Sequence, residues 1–114
     1  MRRFYTLLLP LFLFASSATA QTTWYVPADF PTIQAGIDGS SNGDTVIVDD
    51  GTYFENINFN GKAITLKSEH GPGSTIIDAN QVGSVVTFNS SETVSSRLEG
   101  FGLRNGVGSL DATM

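Results

Sequence analysis

The chain has 114 residues, with 6 basic and 11 acidic side chains, a formal net charge of −5 and no cysteine. Without cysteine there is neither a disulfide framework nor a lipoprotein anchor, and the acidic balance leaves no basic patch to hold nucleic acid or an anionic membrane. Twelve glycines and a low charged fraction suit a turn-dense β protein, and the length admits one domain.

Residues 1–20 read as a signal peptide. Arg2-Arg3 supplies the positive start, residues 7–14 the apolar core and Ala18-Thr19-Ala20 the small-residue cleavage site. The apolar run is shorter than the roughly 20 residues that span a bilayer. Cleavage is expected between Ala20 and Gln21. So apolar a run after the arginine pair fits the general secretory route better than a twin-arginine route. The expected destination is extracellular, the cell surface or the periplasm, with no membrane attachment after cleavage. Loss of Arg2 and Arg3 leaves four basic residues against eleven acidic, a net charge of −7.

Residues 21–42 are expected to form a strand and a capping helix. Thr23-Trp24-Tyr25-Val26 is a short strand ended by Pro27. The helix is expected over residues 29–39, with Asp29 as N-cap, Pro31 in the first turn and Gly39 as the stop. Phe30, Ile33 and Ile37 share one face. So short a helix, with Gly36 inside it, does not hold alone and must dock on something. The open end of the first coil is the expected seat, since its edge would otherwise face solvent.

Residues 43–114 are read as coils, organised around the stretch 43–66. Three β-branched runs, 46–48, 57–59 and 64–66, are separated by the turns Asp50-Gly51 and Asn60-Gly61. The pattern recurs. One series runs through 46–48, 64–66 and 86–88, a second through 57–59, 75–77 and 98–103, and the common period is that of a stacked repeat. The chain is therefore expected to wind, laying each parallel strand on the one before. Ile47, Ile64, Leu66, Leu98, Phe101 and Leu103 are expected to point inward, with Gly100 making a bend.

The segments 29–38 (DFPTIQAGID), 44–48 (DTVIV), 51–56 (GTYFEN) and 64–66 (ITL) together resemble the start of secreted right-handed parallel β-helix proteins of the pectin lyase-like superfamily. Their order is similar to the N-terminal portion of pectin methylesterases, and to exported bacterial β-helix repeat proteins. The resemblance covers about residues 24–106. With the winding pattern it implies an all-β fold: a right-handed parallel β-helix (solenoid) of about two to three coils with a short N-terminal capping α-helix. It also implies that the catalytic aspartates and arginine of the esterase branch lie on later coils. No catalytic, cofactor or metal residue is carried over, and the chain is expected to be a truncated β-helix.

The candidate chemistry is sparse. Asp49, Asp50 and Glu55 carry the carboxylates of a calcium or acid–base site, but Asp50-Gly51 is also simply the turn that winding requires. Glu69 and His70 are the one carboxylate–imidazole neighbour pair, and a single histidine excludes an ordinary two-histidine metal site. Trp24, Tyr25 and Tyr53, with Phe54, have the flat faces that stack on sugars, although aromatic area is more often buried than displayed. Asn56, Asn58 and Asn60 alternate and are expected to ladder with asparagines on adjacent coils. Asn89-Ser90-Ser91 is a glycosylation sequon in a eukaryotic secretory route. The expected partner, if any, is a polysaccharide or cell-surface glycan. The open C-terminal edge is expected to pair with further coils or with another chain.

Overall fold

The structure is a computed structural model that describes residues 20–107. The proposed signal segment lies outside the described residues except for Ala20, which like Gln21 is exposed at their start. The elements in order are β1 (Thr23–Val26), α1 (Ile33–Gly39), β2 (Thr45–Val48), β3 (Gly51–Phe54), β4 (Ile57–Asn58), β5 (Thr65–Ser68), β6 (Thr75–Asp78), β7 (Val86–Thr87), β8 (Arg97–Glu99) and β9 (Gly102–Arg104). The strands stack as β1-β2-β5-β8, β3-β6-β9 and β4-β7, and every pairing is parallel. Three walls rising through about three turns make a parallel β-solenoid with one short helix.

The expected winding is present, but the two expected strand series resolve into three walls. Val86 stacks on Ile57 rather than on the wall of Val46 and Leu66. Residues 75–78 stack on β3 rather than on β4. The reason lies in the corners. Two residues, 49–50, separate β2 from β3, but six, 69–74, separate β5 from β6; likewise two, 55–56, separate β3 from β4, but seven, 79–85, separate β6 from β7. Constant apolar spacing therefore assigns strands to the wrong wall once a corner lengthens.

Side chains alternate across each wall. Trp24, Val46, Leu66 and Leu98 form one inward column, and Tyr53, Ile77 and Leu103 form another. Val26, Ile33, Ile37, Val46, Val48, Ile57, Phe59, Ile64, Leu66 and Ile77 make the continuous core. Each such burial is worth roughly 1.5–3 kcal/mol. Phe59 and Phe88 stack between coils at a ring separation of 4.4 Å. Ile64 is inward as expected, but Ile47 is not. With Val46 and Val48 pointing in, period two turns Ile47 out into the column Tyr25–Ile47–Lys67–Glu99.

The helix is shorter than expected and starts later. Its N-cap is Thr32, whose Oγ1 accepts from the Ala35 N–H at 3.1 Å, not Asp29. Asp29 instead closes the preceding turn, accepting from the Tyr25 N–H at 2.8 Å, so Pro31 falls before the helix. Phe30, outside the helix, meets Trp24 edge-on at 5.3 Å. Gly36 lies against the first wall. A Cβ there would lie 3.1 Å from Val26 Cγ2 and 3.2 Å from Val46 Cγ1.

Candidate functional site

The most specific chemistry in the fold is the seat of α1, which closes the starting end of the coil. β1 continues the first wall below β2, but in the third wall the helix stands where a strand would lie below β4. It must therefore satisfy a strand edge that has no strand beside it. Gln34 does this with its side chain. Its Nε2 donates to the Asn58 carbonyl at 3.0 Å and its Oε1 accepts from the Asn58 N–H at 2.8 Å, the two bonds a neighbouring strand would make.

Charged groups hold the ends of the helix. Both Glu55 oxygens accept from the helix start, Oε2 from Ile33 N–H and Oε1 from Gln34 N–H, each at 2.9 Å. At the other end Lys62 Nζ donates to the carbonyls of Ile37, Asp38 and Ser40 at 2.9, 2.6 and 2.7 Å. All three ammonium protons are thereby used, and both charges oppose the helix dipole correctly. Glu55 is thus a clamp on the lid, not a partner of Asp49 and Asp50.

Asp44 ties β1 to the same end. Its carboxylate accepts from Thr22 N–H at 2.9 Å, Trp24 Nε1 at 3.0 Å and Ser41 N–H at 3.0 Å. The Ser41 and Thr22 amides hold its carboxyl below the ordinary value, with Trp24 helping against the cost of burial. The sequence does not mark these roles for Gln34, Asp44 and Lys62, because apart from Ser41 the partners named here lie 20 to 25 residues away.

A second cluster lies at the corner between the first and second walls. Asp50 and His70 follow β2 and β5 at equivalent places, and His70 Nδ1 lies 2.8 Å from Asp50 Oδ1. That hydrogen bond and the charge of Asp50 push the imidazole pKa up. Glu69 adds charge but not the pairing contact. Tyr53 stands nearby with its hydroxyl donating to the Asp49 carbonyl at 3.1 Å. Burial, then Asp49, Glu55 and Asp50, raise its pKa. The corner is exposed, and no group of three metal-ligating side chains converges among the described residues.

The aromatic candidates are not brought together. Trp24 faces inward under the lid, Tyr53 packs partly on the core, and Tyr25 and Phe54 face out on different walls. Asn56, Asn58 and Asn60 do not ladder with asparagines on the next coil. Asn56 Nδ2 donates to the carbonyls of Val82 and Ser84, Asn58 Oδ1 accepts from the Asn60 N–H, and Asn60 Nδ2 reaches Asp38. Only Asn58 finds a local backbone partner; Asn56 is taken by backbone 26 and 28 residues away and Asn60 by a side chain. Asn89 is exposed on the loop at 88–96, with Ser90 Oγ donating to its Oδ1 at 3.2 Å.

The far end of the coil is different in kind. Ile77 is fully buried, yet Leu103, stacked above it in the same inward column, is 48% exposed. Leu98, Phe101, Val85 and Val86 are only half-buried, and Phe88 is exposed above Phe59. Among the described residues β7, β8 and β9 each pair on one side only. Comparison with protein-family models, with curated proteins and with solved structures finds no match to this chain.

Proposed function

We propose that the chain is the sealed starting end of an exported β-helix, whose task is to begin the solenoid and present an open edge to a further coil. The carrying observation is the contrast within one column, where Ile77 is covered and Leu103 is not. The occupant of that edge is a coil of the same kind. It would continue the register of β5 on β8 and β6 on β9 and place apolar side chains over Leu98, Phe101 and Leu103. Fusing one further coil in frame tests this. Hydrogen exchange at the amides of residues 97–104 is expected to slow relative to the present chain. Unchanged exchange rejects the reading.

Export rests on Arg2-Arg3, the apolar residues 7–14 and Ala18-Thr19-Ala20. N-terminal sequencing of secreted protein should begin at Gln21, and an intact Met1 would count against it. Kinship with the pectin lyase-like superfamily is proposed on the segments 29–38 and 51–56, supported by a helical lid followed by three-walled parallel coils. In that reading any chemistry on acidic polysaccharide belongs to later coils, and this chain supplies their foundation. Assay of this chain for methanol release or uronate-chain cleavage is expected to show none, and activity here would overturn the division of labour.

A further inference from the structure

Three asparagines precede glycine: Asn42-Gly43, Asn60-Gly61 and Asn105-Gly106. Such a pair can lose its side-chain amide without an enzyme, because glycine has no Cβ to keep its nitrogen from the asparagine Cγ. The glycine nitrogen gives up its proton and bonds to Cγ, closing a succinimide, and Nδ2 leaves as ammonia. Water then opens the ring at either carbonyl to give aspartate or its β-linked isomer. One water is consumed and one ammonia released.

The fold treats the three nucleophiles differently. Gly43 N–H donates to the Ala63 carbonyl at 2.8 Å and Gly61 N–H donates to Glu92 Oε2 at 2.8 Å. Gly106 N–H has no acceptor among the described residues. A donated N–H must be released before it can lose its proton, which slows attack about fivefold for a hydrogen bond of ordinary net strength. All three side chains are hydrogen-bonded, and Asn105 most firmly, a hold that the Gly106 N–H, without an acceptor among the described residues, and the position of the site must outweigh. Asn42 Oδ1 accepts from Ala63 N–H at 2.9 Å, Asn60 Nδ2 reaches Asp38 Oδ1 at 3.5 Å, and Asn105 Nδ2 donates to both Asp78 oxygens at 3.1 and 3.0 Å. Position favours the third. Asn105 follows β9, which pairs on one side only among the described residues, so local opening there costs less than in the coils below.

We propose that Asn105 is a site of spontaneous deamidation in the folded protein, and that the new carboxylate loosens the last described coil from the one beneath it. The change removes the two Asn105 Nδ2 bonds to Asp78, leaves it the Asn80 N–H at 2.7 Å, and sets a second negative charge beside it. The load falls on neighbouring coil-to-coil bonds, Ala79 N–H to the Arg104 carbonyl at 3.0 Å and Gln81 N–H to the Asn105 carbonyl at 2.8 Å.

The test holds the folded chain in mildly alkaline buffer and follows its three Asn-Gly peptides by mass, each rate divided by its rate in denaturant. Asn105 is expected to convert at least about fivefold faster than Asn42 or Asn60 on that scale. Equal scaled rates, or Asn105 the slowest, overturn the site. Hydrogen exchange is then compared for fresh protein, aged protein and Asn105→Asp. Exchange at Ala79 and Gln81 should rise at least about fivefold while Leu66 is unchanged, and unaltered exchange at Ala79 and Gln81 overturns the loosening.

Discussion

Glu55 and Lys62, seven positions apart on the first coil, grip opposite ends of α1: the carboxylate takes the first two helix N–H groups and the ammonium takes three carbonyls at its end. A seven-residue helix cannot persist by itself. Its stability is lent by the coil it closes, so the lid and the first coil should fold and fail together.

Glu55→Gln is expected to weaken the lid by about 1–2 kcal/mol, and Lys62→Met by a similar amount, since each removes charge-assisted hydrogen bonds. Chemical denaturation measures both. Combined loss should be less than additive, because either change already frees the helix.

Gln34→Leu keeps a side chain of similar length but removes the two bonds to Asn58. The exposed edge of β4 then loses its only surrogate strand among the described residues, at an expected cost of about 1–3 kcal/mol. The Asn58 amide should also exchange faster, which separates this effect from general loosening.

Thr75→Val is expected to stabilise. Thr75 is fully buried and its Oγ1 has no hydrogen-bond partner among the described residues. Replacing the hydroxyl by an isosteric methyl should gain about 1 kcal/mol and raise the melting temperature. A lower melting temperature would show that the hydroxyl is satisfied.

Ile64→Asp should abolish folding, since it buries an unpaired charge in the core. Ile47→Asp should be tolerated at a cost of about 1 kcal/mol, because Ile47 lies on the outer column. Thermal melts of the two variants distinguish the faces, and equal damage would contradict the register.

Two titrations should shape the pH profile in opposite senses. Asp44 has a lowered pKa, so its contribution is present above its ordinary 3.8 and fades as acid carries the pH through the depressed folded value. His70 has a raised pKa, so its contribution is present below 6.5 and fades as pH rises through the raised folded value. The His70 effect should be small, because the pair is exposed. Denaturation midpoints against pH, with Asp44→Asn and Asp50→Asn as controls, read each limb.

The winding, the strand existence and the docking of the helix were legible because each depends on local pattern: short apolar alternation, glycine turns and one amphipathic face. The wall assignment of 57–59 and 75–77 was not, because corner lengths vary and leave no periodic trace. Asp29 is the N-cap that the sequence suggests, and only the turn that draws it to Tyr25 N–H leaves the cap to Thr32. At the candidate seat Glu55 is visible as a carboxylate, but nothing in the sequence points to the helix start, 21 and 22 residues away, as its partner.

Alternating side chains and turn residues act over a few positions, so the amino-acid order alone determined that this chain forms short strands able to stack in parallel under a helical lid. Which strand lies on which, that Gln34 replaces a missing strand, and that Glu55 and Lys62 close on the helix depend on contacts across 20 or more residues. Those contacts exist only after the coil has closed, when backbone groups stripped of water must take whatever partner the winding brings to them.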